Sequence, residues 1–302
     1  MSQAAHYSYT AAHVASAVDE IKATLFRGIT REAIPKVLVI AGLQGSGKTW
    51  LLEKTLLPTH RYANYVRLYL TGYREKHPHY AQMLTLGVLH AYEHTEAFVR
   101  EIGSEIFKEA FRLKYNIIME CAFDSLDFAA FAQSASNEGY QFDVHLVACT
   151  QEFAHVSSIK RALKSLETQA LERFVTFAAL ETSMSNARAI ILAFETAAKA
   201  ISGSQISLYE RGLGELKERT LRAQSIYTKA SDGVLTVTAS TLPFSFRAYS
   251  EIVDNHVHAM SERDEMVKEC HHALLRTLSY RDLIPGFAYN DLYAYIIKYV
   301  NR

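Results

Sequence analysis

The chain has 302 residues, 49% hydrophobic and 21% charged, a globular composition with length for one large or two ordinary domains. Lys+Arg and Asp+Glu both total 32, which excludes bulk electrostatic capture of nucleic acid or of an anionic membrane and leaves room only for a local basic patch. Cys121, Cys149 and Cys270 are odd in number and form no CxxC, which argues against a disulfide framework and for a reducing, cytoplasmic setting.

No basic start followed by an apolar run opens the sequence, and no apolar stretch is long enough to span a bilayer. Secretion as an effector by another signal stays open. Residues 12–34 carry Val14, Val18, Ile21 and Leu25 at helical spacing, and Pro35 ends that region. VLVIAG (37–42) is a continuous apolar run, the pattern of a strand buried on both faces. GLQGSGK turns the chain and TWLLEKTLL opens a helix; YVRLYL (65–70) reads as a second strand. Residues 78–113 read as helix with a break near His94–Thr95.

NIIMEC (116–121) and FDVHLVAC (142–149) read as buried strands separated by a helix that ends at the GY of 139–140. Helices follow at 152–171 and 185–201, then a strand, a Gly-containing turn and the start of a return strand at 205–218. VLTVTAS (234–240) is a further strand. SERD (261–264) resembles a capping box opening a helix, and 290–300 opens another. Strands alternating with helices over the first 200 residues imply an α/β fold with a parallel sheet covered on both faces. The expected organisation is an N-terminal helical segment (1–34), a P-loop core (35–218) and a helical or mixed C-terminal extension (219–302).

Gly42, Gly47, Lys48 and Thr49 satisfy GxxxxGK[ST] between a predicted strand and a predicted helix. Glycines let backbone N–H groups converge on phosphate oxygens, and the helix N-terminus adds partial positive charge. Lys48 is placed to reach the β- and γ-phosphates and the Thr49 hydroxyl to ligate Mg²⁺, with Gln44, Gly45 and Ser46 filling the loop. ATP or GTP with Mg²⁺ is the expected cofactor pair.

Four further stretches, in order, narrow the class: YREKHPHY, NIIMECAFD, Arg161 followed by RFV from Arg173, and ISLYERGLGEL. Together with the phosphate loop they resemble the zeta toxin family across about residues 37–218. The resemblance implies a P-loop kinase. Known members phosphorylate a sugar hydroxyl of UDP-N-acetylglucosamine, and a related effector phosphorylates NAD. Carried over by position, Lys48 and Thr49 hold the triphosphate and Mg²⁺, Arg161 and Arg173 neutralise the transferring phosphoryl group, and Arg74, His77 and Glu120 line the acceptor site. An antitoxin partner is also implied, and residues 12–34 are placed to lie over the nucleotide site as antitoxin segments do.

Two positions depart from the family. Thr71 stands where its catalytic Asp is expected, and Ala122 where the Thr of E-x-T is expected. Thr is no general base near neutral pH. Glu75 or Asp124 replaces it, the acceptor needs less help, the residue was substituted to quench a toxic enzyme, or the protein binds nucleotide without turnover and acts through a protein partner. The histidine pairs His90/His94, His256/His258 and His271/His272 have no third ligand at recognisable spacing and read as solvated faces. RGLGEL (211–216) reads as a turn.

Overall fold

The computed structural model describes residues 7–300 apart from Tyr69, Gln169, Leu171, 213–218, Ser231 and Asn255. Helix α1 (Ala11–Leu25) leads to β1 (Lys36–Ala41), the phosphate-loop segment and α2 (Lys48–Leu51), which continues through a π-type turn (Leu52–Leu56) and a 3-10 turn (Leu57–Thr59). Then come β2 (Tyr65–Arg67), a 3-10 turn (Leu70–Lys76), α3 (Tyr80–Leu84), α4 (Val88–Arg112), β3 (Asn116–Cys121), α5 (Asp127–Asn137) and β4 (Gln141–Ala148). Helices α6 (Gln151–Thr168) and α7 (Phe177–Ala200) precede β5 (Ser204–Arg211), β6 (Arg219–Lys229) and β7 (Leu235–Thr238). Helices α8 (Phe246–Val253), α9 (Met260–Thr277) and α10 (Gly286–Val300) complete the described chain.

One seven-stranded sheet in the order β2-β3-β1-β4-β5-β6-β7 holds the molecule together. Its first five strands are parallel and its last two antiparallel. The apolar runs read from the sequence are its inner strands. In β1, Val37, Val39 and Ala41 face the main core with Phe142, Ile190 and Phe194, while Leu38 and Ile40 face a second core with Leu51, Leu52 and Ile118. Both faces of the strand are therefore buried by helices, each large apolar side chain contributing roughly 1.5–3 kcal/mol. Because β1 is flanked by β3 on one side and β4 on the other, the carboxyl ends of these strands open a crevice above β1. The P-loop α/β architecture and the helical C-terminal part are as the sequence implies.

Several boundaries differ. Strand β2 ends at Arg67, and a 3-10 turn carries Leu70–Lys76. Helix α4 runs unbroken through His94–Thr95, where the buried Thr95 hydroxyl is satisfied within the helix by donating back to Ala91 O at 2.7 Å. The break lies instead before Gly87, whose φ of 104° no ordinary residue adopts cheaply. Helix α7 begins eight residues earlier than 185, capped by the Thr176 side chain. Helix α9 begins at Met260 rather than after Ser261; Glu262 caps it by accepting from Ala259 N–H at 2.8 Å. The turn expected at 211–216 lies largely outside the described residues.

Helix α1 does not cover the phosphate loop. Val14, Ala17 and Val18 pack with Phe98, Val99, Ile102 and Ile106 of α4 and with Tyr73. The three cysteines are free and buried, and no described helix is long and apolar enough to cross a membrane.

Candidate functional site

The loop after β1 is shaped by its glycines. Gly42, Gly45 and Gly47 have φ of 153°, 88° and 92°. A Cβ on Gly45 would lie 2.0 Å from Ala154 O, and one on Gly42 2.4 Å from Val147 O. The loop therefore lies directly on the β4–α6 junction and admits no side chain at either position. Gln44, Gly45, Gly47, Lys48 and Thr49 line a cavity of about 700 Å³, while Ser46 is buried and off its wall. Lys48 Nζ donates to Gly42 O at 2.7 Å and Leu43 O at 2.9 Å. Burial pushes its pKa down, opposed chiefly by Glu120. The Thr49 hydroxyl donates to Glu120 Oε2 at 2.7 Å, joining the helix N-terminus to the end of β3.

This cavity is strongly basic although the chain is neutral overall. Seven Lys or Arg side chains line it against one carboxylate, Glu120. Lys160, Lys164 and Arg276 were not singled out from sequence, and neither were Arg211 and Arg219. The last two are directly opposite each other in the β5–β6 ladder, just beyond a register shift at Leu208/Tyr209. Arg211 is buried, donates to Gly45 O and lies over the Phe153 ring at 4.5 Å. Arg219 donates to Gly47 O at 3.4 Å and lies over Trp50 at 4.2 Å. Burial lowers the pKa of both, that of Arg219 to about 10 with Arg211 adding to the effect. Like charges directly opposite in a ladder repel. Their joint presence against a phosphate-type loop fits an anion that neutralises both.

A second cavity of about 520 Å³ adjoins the first, and Gln44, Glu120, Ala122 and Arg161 belong to both walls. Thr71 and Arg173 line only the second. Arg161 Nε pairs with Glu172 at 2.6 Å, and Arg173 donates to the Gln44 side chain at 3.4 Å, so the two arginines flank the junction between the cavities. Arg74 is buried on the same wall, where it is committed to Tyr92 O, the Thr95 hydroxyl and Glu96 at 2.6–2.9 Å and stacks 3.7 Å over Tyr92. Tyr92, Phe107, Phe128 and Phe131 supply aromatic surface.

His77 is not brought to this cavity. It is buried between Tyr9 and Phe98, accepts from His79 N–H at 3.1 Å, and burial lowers its pKa to about 4. Its place beside Pro78 reflects packing beneath the N-terminal segment. Glu75 is exposed and off both walls.

Five carboxylates do line the second cavity: Glu96, Glu120, Asp124, Asp127 and Glu172. Four are engaged, by Arg74 and Arg100, Thr49, Ser125 and Arg161 respectively. Among the described residues Asp124 has no hydrogen bond or ion pair. It follows Phe123, which is fully buried with φ of 61°, a left-handed conformation costing a bulky residue roughly 1–2 kcal/mol. The Asn186 side chain holds this turn by donating to Phe123 O at 3.1 Å. Strain of this kind persists where surrounding structure enforces it, and here it carries β3 out into the cavity wall.

A parallel sheet with a glycine-shaped strand–loop–helix at its central strand, basic walls and an adjoining crevice defines a P-loop α/β protein of the nucleotide-binding type. The sequence matches the zeta toxin family over residues 19–213, well over half its length, and the chain belongs to that family, one of kinases. Among curated protein sequences none matches. Solved structures share the fold. A chain from the PezAT chromosomal toxin–antitoxin system of Streptococcus pneumoniae is 17% identical with a TM-score of 0.62, the match covering 89% of this chain and 99% of that one. A chain of the AvrRxo1-ORF1:AvrRxo1-ORF2 complex with sulphate ions is 11% identical with a TM-score of 0.55, covering 94% and 86%. The same complex with ATP gives 10% identity and a TM-score of 0.53, again covering 94% and 86%.

Proposed function

We propose that the protein transfers the γ-phosphoryl group of ATP to a hydroxyl of a nucleotide-linked small molecule, a UDP-sugar or a dinucleotide. The observation that carries this reading is the junction of the two cavities, where Gln44, Glu120, Ala122 and Arg161 face both. Donor and acceptor in adjoining cavities suit an in-line transfer. The ATP complex of a structural neighbour supports ATP as the donor. Aromatic rings interleaved with arginines on the second cavity suit the base and phosphates of a nucleotide-linked acceptor.

Each residue then has a task. Lys48, Arg211, Arg219 and the loop amides bind the triphosphate. Thr49 and Glu120, whose oxygens are 2.7 Å apart, present the hard donors Mg²⁺ takes, and that ion when bound offsets phosphate charge. Asp124 takes the proton of the acceptor hydroxyl as its oxygen attacks γ-phosphorus and the bond to the β–γ bridging oxygen breaks. Arg161 and Arg173 meet the charge spread over the transferring oxygens. Arg74 positions the Tyr92–Glu96 turn of the acceptor wall.

Toxin–antitoxin systems among the neighbours support a toxin role with an antitoxin partner. A module that binds nucleotide without turnover is the second reading, favoured by Thr71 and Ala122 at the two family positions. Mass spectrometry separates them: the protein is incubated with Mg-ATP and a panel of UDP-sugars, NAD and nucleosides, beside Lys48→Ala. A phosphorylated product absent with Lys48→Ala establishes the kinase and names the acceptor. ATP binding with no product across the panel, including from Thr71→Asp, supports the second reading.

A further inference from the structure

Sequence spacing gives His256 and His258 no partner, but folding supplies one. Their ring nitrogens and a Glu262 carboxylate oxygen all lie within 4.8 Å of one another. His256 Nε2 is 3.1 Å from Glu262 Oε2, and His258 Nδ1 is 3.8 Å from the same oxygen. The outer nitrogen of each ring meets protein. His256 Nδ1 faces Glu210 Oε1 of β5 at 3.7 Å, and His258 Nε2 meets the Tyr299 hydroxyl of α10 at 3.2 Å. His258 Nδ1, the inner nitrogen, is buried without a hydrogen-bond partner.

We infer that His256, His258 and Glu262 bind a divalent transition metal of the zinc class. Two imidazoles and one carboxylate are a common zinc donor set, and a three-residue set leaves a fourth position for water or another ligand. Ligating histidines usually have the far nitrogen held by a carboxylate or another polar group; the Tyr299 hydroxyl does this for His258, and the Glu210 carboxylate lies beside the far nitrogen of His256, just outside hydrogen-bond distance. Tetrahedral coordination needs donor atoms roughly 3.4 Å apart, so the inner atoms have only a short distance to close. Charge also suits a cation. Among the described residues Glu262 meets imidazoles and the Ala259 amide rather than a lysine or arginine, while the nearby Glu210 and Glu152 pair with Arg222 and Lys298. The site would fasten the start of α9 to the end of β5, one residue from Arg211 and its bond to the phosphate loop.

The test uses the full chain, freed of metal by a chelator, without nucleotide, and titrated with Co²⁺. The expected result is one Co²⁺ per chain with a visible absorption band, displaced by Zn²⁺, and a higher Tm when loaded. His258→Ala and His256→Asn are each expected to weaken binding by about tenfold or more. The His90→Ala/His94→Ala variant should bind as the wild type does. X-ray absorption on the Zn²⁺-loaded wild type needs no variant and is expected to show two imidazole ligands. No stoichiometric binding, binding that survives loss of both His256 and His258, binding lost with His90 and His94, or a spectrum without imidazole would each overturn the inference.

Discussion

Asp124→Asn tests where the base resides. The substitution keeps size and hydrogen-bonding shape but removes the ability to take a proton. Asp124 is exposed and without a hydrogen bond or ion pair among the described residues, so the expected change in stability is within about 0.5 kcal/mol. The other four carboxylates on the wall of the second cavity are engaged by cations or hydroxyls, which leaves Asp124 as the one without a partner among the described residues. A positioned base contributes about 10²–10⁴-fold, roughly 3–5 kcal/mol of barrier. The expected outcome is therefore a fall in kcat of at least about a hundredfold, with ATP affinity and Tm unchanged. Steady-state kinetics with the acceptor that the mass-spectrometric panel names, alongside calorimetric titration of ATP, reads both. Glu75→Gln is the control and should be silent, since Glu75 is exposed and off both walls. Thr71→Asp in the Asp124→Asn background should restore part of the rate by returning a carboxylate to the same cavity. A rate for Asp124→Asn within about threefold of the wild type would refute the assignment, given the usual size of a base's contribution.

Three further outcomes are expected. Gly45→Ala meets both a left-handed cost of about 1–2 kcal/mol and the Ala154 carbonyl, and should lower Tm and abolish measurable ATP binding; Gly87→Ala, with φ of 104° but nothing within 4 Å, should lower Tm alone. His77 has its pKa lowered from 6.5 to about 4 by burial, with His79 and His13 adding to it, so the unfolded chain binds the proton more readily. Its contribution is therefore complete above about pH 6.5 and lost as pH falls toward 4, by at most about 3 kcal/mol, and urea titrations of His77→Gln should show a flatter loss over that window. Val18→Ala should cost about 2 kcal/mol while leaving ATP affinity unchanged, because α1 packs on α4 and lines neither cavity; tighter ATP binding would restore α1 as a cover over the loop.

The strands were legible because burial on both faces leaves an unbroken apolar run, and the phosphate loop because its backbone geometry demands glycine at fixed positions. What escaped depended on pairing across the sheet. Arg211 and Arg219 are eight residues apart in sequence, and only the antiparallel register of β5 and β6 sets them side by side over the loop. Glu262 joins His256 and His258 only after the first turn of α9 folds back toward that loop segment. His77 carried a familiar neighbourhood in sequence but points into packing, since a residue pattern does not state which face of a 3-10 turn meets solvent.

Thr71 and Asp124 lie beyond the carboxyl ends of adjacent parallel strands, β2 and β3, and both line the second cavity. In a parallel sheet neighbouring strand ends approach the same crevice, so a carboxylate can serve one substrate from either. Moving the base from one strand end to the next requires the second chain to turn into the cavity rather than over it. The left-handed, fully buried Phe123 makes that turn, and the Asn186 side chain holds it. On the proposed reading, the turn at Phe123 is what lets Asp124 stand in for the carboxylate that Thr71 lacks. In phosphoryl transfer, where positioning and charge neutralisation carry most of the catalysis, such a rearrangement leaves the arginines and phosphate loop untouched.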